Sequence, residues 1–186
     1  MRNREACRRE ILARRNSLTE PFIEKASETI GERLRNEPVW KEAASVCLYY
    51  GCRGEVRTEG LIRSAFDEGK KVFLPRVISD TQMVFIEVLS GEKQAEGAYG
   101  IPEPVYDETR LMRETPGLIV VPCVAVDRKG NRLGHGKGYY DRFLEGMGKV
   151  PSVCLAFSCQ ITEGFMTKDT DIRIGNIITE EEIIRT

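Results

Sequence analysis

Between Arg2 and Arg15 the chain has no helix breaker, and Cys7, Ile11, Arg14 and Leu18 recur at helical spacing among mostly charged residues. That period predicts a first amphipathic helix. A second is expected after Thr19, a suitable N-cap with Pro21 in the first turn, because Phe22, Ala26, Ile30 and Leu34 repeat every four residues. It should end before Pro38, since the residue preceding a proline is pushed out of the α region. From Ser45 the texture changes to short apolar runs broken by Gly, Pro and polar residues, which predicts strands over 45–50, 71–74, 82–88, 117–121, 152–157 and 174–179. A helical stretch over 58–68, with Gly69 at the C′ position, separates the first two. Strand–helix–strand order predicts a βαβ unit, hence an α/β fold with a mostly parallel sheet flanked by helices. The segment 82–88 alternates too weakly to name its partner. Residues 97–110 form the longest irregular stretch, equally a binding loop or a surface excursion.

A chain of 186 residues is of the size that one hydrophobic core serves, so a single domain over 1–186 is expected. Apolar residues at 41% and charged residues at 31% are the balance of a soluble globular protein. Lys and Arg at 28 against Asp and Glu at 29 leave a net charge of −1, so no global basic field attracts nucleic acid. The start is charged from its second residue and has no apolar signal region, and no run approaches the roughly 18 apolar residues of a spanning helix. The expectation is a cytoplasmic chain that engages no membrane. The six cysteines should then stay reduced. Cys47 and Cys52, like Cys154 and Cys159, are spaced as zinc ligands can be, but Cys47 and Cys154 sit in strand-like runs where cysteine acts as a small hydrophobe.

The segment 121–144 carries the most chemistry. Gly134, Gly136 and Gly138 alternate with His135 and Lys137 and lead into a helical pattern beginning near Tyr139. Residues without a Cβ let a backbone approach a ligand closely, and successive N–H groups at a helix start cradle an anion. Arg132 and Lys137 supply the charge that such a phosphate site uses. Asp141, one turn into the helix, is a hard oxygen ligand suited to Mg²⁺. The glycine spacing fits neither the P-loop nor the dinucleotide fingerprint, and a structural hairpin is the competing reading.

The same segment, Ala125-Val-Asp-Arg-Lys-Gly-Asn-Arg-Leu-Gly-His-Gly-Lys-Gly-Tyr-Tyr-Asp-Arg-Phe143, resembles the signature of the 5-formyltetrahydrofolate cyclo-ligases, also called methenyltetrahydrofolate synthetases. The resemblance extends, in the family's order, to Arg4-Glu-Ala-Cys-Arg8, Gly54-Glu-Val-Arg-Thr58, Leu74-Pro-Arg-Val77, Met83-Val-Phe85, Gly100-Ile-Pro-Glu-Pro104 and Ile177-Ile-Thr-Glu180. It implies an enzyme that uses ATP as co-substrate and Mg²⁺ to convert 5-formyltetrahydrofolate into 5,10-methenyltetrahydrofolate, ADP and phosphate. The partners are then small molecules and the chain a monomer.

Carried over by position, the resemblance assigns ATP to Arg4 and Arg8 on one helix face and to Arg132, Leu133, Gly134, His135, Gly136, Lys137, Gly138, Tyr139 and Tyr140. Arg132 and Lys137 would counter charge on the transferred phosphoryl group. Tyr50, Glu55 and Tyr139 would line the folate site, with Glu55 accepting from pterin nitrogens, and Asp141 would hold the metal. The two tyrosines could instead fill the core. His135 is not read as a base, because the reaction needs none. Gly175 stands where the family is expected to carry an aspartate that assists the metal, which implies a raised Mg²⁺ requirement. A folate- or nucleotide-binding protein with weakened catalysis is the alternative, and a different ATP-dependent ligase or CoA-handling enzyme a further one.

Overall fold

The computed structural model describes residues 2–97 and 100–186. Helix α1, Arg4–Asn16, begins where Asn3 caps it, the Asn3 Oδ1 accepting from the backbone N–H of Glu5 at 2.9 Å and Ala6 at 3.4 Å. Its buried stripe is Cys7, Ile11 and Arg15, so the inner position falls on Arg15 and not on Arg14. Helix α2, Glu20–Asn36, buries Ile23, Ala26, Ile30 and Leu34. Phe22, predicted on that stripe, is 40% exposed, because Ile23 faces the sheet in its place. After Asn36 a single turn, α3, Pro38–Lys41, buries Trp40. Helix α4, Glu59–Asp67, ends as predicted at Gly69, whose φ of +71° lets the Lys70 N–H reach the Ala65 carbonyl at 2.9 Å. Helix α5 spans Tyr139–Glu145.

The strands are β1 Ser45–Cys47, β2 Lys71–Val77, β3 Met83–Val88, β4 Ala95–Glu96, β5 Pro102–Glu103, β6 Leu118–Val121, β7 Ala125–Asp127, β8 Arg132–Leu133, β9 Ser152–Leu155, β10 Ile161–Thr162, β11 Asn176–Ile178 and β12 Ile183–Arg185. Seven form one sheet in the order β12-β11-β9-β6-β1-β2-β3. The inner five are mutually parallel, and β3 and β12 close the edges antiparallel, which supplies the partner of the 82–88 segment. Two small sheets, β10-β7-β8 and β4-β5, are additional to the expected strands. Side-chain alternation explains why both faces are covered. Val46, Val72, Leu118, Val120 and Val153 point into one core with α2 and α4, while Cys47, Phe73, Ile119, Val121 and Cys154 point into the other with α5.

Three strands stop short of their predicted ends: β1 at Cys47, β9 at Leu155 and β11 at Ile178. Past β1, Tyr49 and Tyr50 line a cleft. From β1 the chain builds outward through β2 and β3, then returns to the other side of β1 as β6. Such a reversal of strand order opens a crevice outside the carboxyl ends of the parallel strands.

Candidate active site

The crevice is a cleft of about 770 Å³. Its floor is the carboxyl end of the sheet: Tyr49 and Tyr50 past β1, Pro75 and Val77 in β2, Pro122 and Cys123 past β6. Helix α1 contributes Arg4 and Arg8, four residues apart and therefore on one face. The glycine run and the first turn of α5 close the far wall, and Ile101, Pro102 and Glu103 from the irregular 97–110 stretch form part of the rim. Ala98 and Tyr99 of that stretch lie outside the described residues.

Arg132 is the most enclosed cation of this wall, only 3% exposed. Its Nη1 donates to the Pro122 carbonyl at 3.2 Å and its Nη2 to Asp141 Oδ1 at 2.9 Å, and its guanidinium lies 5.5 Å from the centre of the Tyr140 ring. Arg8 Nε donates to the Gly134 carbonyl at 2.8 Å, tying α1 to the glycine run. Arg4 grips Asp171 with both terminal nitrogens and also donates to the Met166 carbonyl at 3.2 Å. Lys137 is exposed, and the run around it turns sharply, with φ of +102° at Gly136 and +71° at Gly138. Gly138 is the residue that starts α5, a left-handed position that a Cβ would strain. Tyr139 donates to the Ser79 carbonyl at 3.1 Å, whereas Tyr140 packs edge-on to Phe85, and burial pushes its phenol far above the usual range.

Across the cleft, Glu55 is buried at 7% exposure. It ends a tight turn closed by its own N–H on the Cys52 carbonyl at 2.9 Å, with left-handed Arg53 and Gly54 at φ +48° and +77° between them. The turn is possible because Gly51 has no side chain: a Cβ there would sit 2.3 Å from the Val56 carbonyl oxygen. Glu55 Oε1 lies 3.3 Å from His135 Nε2 and 3.9 Å from Arg15 Nη1, and Oε2 accepts from the Cys52 N–H at 3.3 Å. Burial, reinforced by the Glu55 carboxylate, pushes the Cys52 thiol up to about 12, so it is protonated and not a nucleophile at neutral pH.

The cleft thus gathers Arg4, Arg8, Tyr50, Glu55, Arg132 and Asp141 with the run 134–140. Leu133 is not among the lining residues; it is fully buried with Val124 and Ala125 against α1. Gly175 is also elsewhere. It precedes β11 at the amino end of a parallel strand, with its N–H on Ser152 Oγ at 3.2 Å, while the cleft lies at the carboxyl ends. Gly175 therefore does not line the cleft that holds Asp141 and Asp171. Asp171, on the cleft wall, is the carboxylate that this C-terminal segment contributes. Arg15 was missed because the helical series was followed to Arg14; the strict four-residue step from Cys7 and Ile11 finds it.

An open α/β sheet with an arginine-lined crevice at its reversal point is the arrangement in which doubly wound proteins bind their ligands. The model of the 5-formyltetrahydrofolate cyclo-ligase family matches residues 1–180, and the chain belongs to that family. It is 34% identical over 185 residues to a probable 5-formyltetrahydrofolate cyclo-ligase of Schizosaccharomyces pombe, covering 90% of each chain. The 5-formyltetrahydrofolate cyclo-ligase of Haemophilus influenzae is 31% identical, with 94% of this chain and 96% of the relative covered. Among solved structures, the 5,10-methenyltetrahydrofolate synthetase of Aquifex aeolicus matches with a TM-score of 0.86 at 34% identity, over 98% of this chain and 92% of its own. A synthetase from Mycoplasma pneumoniae, at 23% identity, shares the fold with a TM-score of 0.74.

Proposed function

We propose that this chain converts 5-formyltetrahydrofolate to 5,10-methenyltetrahydrofolate at the expense of ATP, with both substrates in the one cleft. The observation that supports this reading best is Arg132: a guanidinium 3% exposed, clamped by a carbonyl and a carboxylate, on the wall that carries the glycine run. A fixed charge in a water-poor wall stabilises charge that develops during reaction without reorganising.

In the reaction, the formyl oxygen attacks the γ-phosphorus and the bond to ADP breaks. The neighbouring folate nitrogen then attacks the activated carbon, loses its proton, and phosphate departs. No side-chain nucleophile is needed, so the protein's work is positioning and charge stabilisation. Arg4 and Arg8 orient the phosphate chain, Arg132 and Lys137 meet the transferred group, and the glycine run lets its backbone come close. Glu55 accepts from the pterin edge, with Tyr50 and Tyr139 beside the folate.

Among the described residues no three His, Cys, Asp or Glu side chains stand together as a metal cage. Mg²⁺ is commonly held by one or two carboxylates plus substrate phosphates and keeps part of its water. Asp141, beside the glycine run, would supply such a carboxylate. The ion, when bound, neutralises phosphate charge. ADP release that depends on 5-formyltetrahydrofolate, followed with the absorbance of the methenyl product, tests the reading. Ligand-induced stabilisation with no product would overturn it.

A further inference from the structure

We infer that Arg15, from the buried face of α1, is a positioning residue for the folate side of the cleft. This inference rests on the role proposed for Glu55. Arg15 is 2% exposed, and a charge so deeply buried is rare unless it is paired. Its Nη2 donates to the Arg53 carbonyl at 3.1 Å, its Nη1 to the Cys123 carbonyl at 3.4 Å, and Nη1 stands 3.9 Å from Glu55 Oε1.

The three partners share one geometry. Arg53 is left-handed at φ +48°, the one non-glycine residue so among those described, and such a conformation persists only where its surroundings enforce it. Arg15 holds that residue's own carbonyl. Two residues on, the buried Glu55 carboxylate also lies beside His135, a ring 50% exposed to solvent. Arg15 supplies a buried positive charge beside the carboxylate, 3.9 Å from its Oε1, that holds it turned to the cleft. Through Cys123 it anchors the turn to the segment just past β6, where the preceding residue, Pro122, accepts from Arg132. A packing role alone would be filled by an apolar side chain, as Cys7 and Ile11 fill the two preceding turns of the same stripe.

Calorimetry on the full chain tests this with 5-formyltetrahydrofolate and ATP titrated separately into wild type, Arg15→Met, Arg15→Lys, Glu55→Gln and the Arg15→Met/Glu55→Gln pair. Arg15→Met should weaken folate binding about tenfold or more, the size of one charge-assisted contact, and leave ATP affinity within about twofold. In the Glu55→Gln background the same change should add less than about twofold, because the two residues act as one unit. Arg15→Lys keeps the charge without the fork, should lose an intermediate amount at folate alone, and carries the test if the Met variant does not fold. Parallel losses for both ligands in step with melting temperature would overturn the inference and leave Arg15 a packing residue. Multiplying losses in the paired variant would overturn it too. If Glu55→Gln binds folate as wild type does, the reading of Glu55 fails and takes this inference with it. If Glu55→Gln is impaired and both Arg15 variants are not, the inference alone fails.

Discussion

Replacing Arg132 by alanine separates catalysis from stability, because the structure sets the two effects at different sizes. The guanidinium is a charged donor fixed in the cleft wall, and loss of one preorganised donor lowers kcat by about 10²–10³, or roughly 3–4 kcal/mol of transition-state stabilisation. The folded state loses less. Asp141 is 18% exposed at its side chain, so on losing Arg132 it recovers water, and the broken pair is worth about 1 kcal/mol, near the value of surface pairs. The Pro122 carbonyl loses its donor, a further cost of about 1–3 kcal/mol if water does not replace it. At about 2–4 °C per kcal/mol for a chain of this length, the melting temperature should fall by roughly 5–15 °C.

The assay is steady-state ADP release at a temperature well below the variant's melting point, with both substrates varied. Because the charge it meets grows only in the transition state, kcat should fall while both KM values stay within about twofold. Arg132→Lys retains a point charge but cannot hold carbonyl and carboxylate together, so it should recover stability more than turnover. A folded Arg132→Ala enzyme with wild-type kcat would refute the assignment of the catalytic charge to this residue.

Lys137→Ala should leave the melting temperature unchanged, the side chain being exposed, yet lower kcat on the order of 10²-fold; equal kcat would remove it from the site. In a Mg²⁺ titration, Asp141→Asn should raise the concentration for half-maximal turnover about tenfold or more, whereas Gly175→Asp should not move it, since that residue lies at the other end of the sheet. A lowered midpoint in Gly175→Asp would show that the C-terminal segment reaches the metal after all. The Cys52 thiol is raised in the folded state to about 12, so its contribution to stability is present below the ordinary thiol range and is lost as pH climbs through about 12. Melting temperatures between about pH 8 and pH 11 should therefore fall less steeply in Cys52→Ala than in wild type, and identical slopes would show that the thiol is not held protonated by its site.

The helices were legible because local signals set them: the four-residue repeat through Ala26, Ile30 and Leu34, which missed only that Ile23 and not Phe22 faces inward, the stop before Pro38, and the left-handed Gly69. The parallel core was legible because each inner strand is apolar on both faces. The strand ends were not. Leu48-Tyr49-Tyr50 is as strand-like as the residues before it, yet β1 ends at Cys47 and the two tyrosines line a cleft built by distant parts of the chain. The small sheets were missed for a similar reason: two-residue strands such as Arg132–Leu133 carry no period, and their pairing with Ala125–Asp127 exists only in three dimensions.

The same distinction explains what could be read of the site. The glycine run, Arg132 and Asp141 are contiguous, so the resemblance delivered them as a set. Their electrostatic state was not contained in it. Two of the cleft's arginines meet a carboxylate, Arg132 at Asp141 and Arg4 at Asp171 across 167 positions of sequence, and behind the cleft Arg15 meets Glu55. A cluster of bare cations would raise one another's energy in a partly desolvated wall and would collapse toward solvent. Pairing Arg132 and Arg4 with acids lets the wall hold these cations partly buried. The wall's affinity for phosphate then depends on how readily those acids yield, which is a property of the pairs and not of any residue alone. Gly175 shows the limit of position along the chain: between Asp171 and Gly175 the backbone passes from the cleft wall to the foot of β11, where the Gly175 N–H meets Ser152 Oγ.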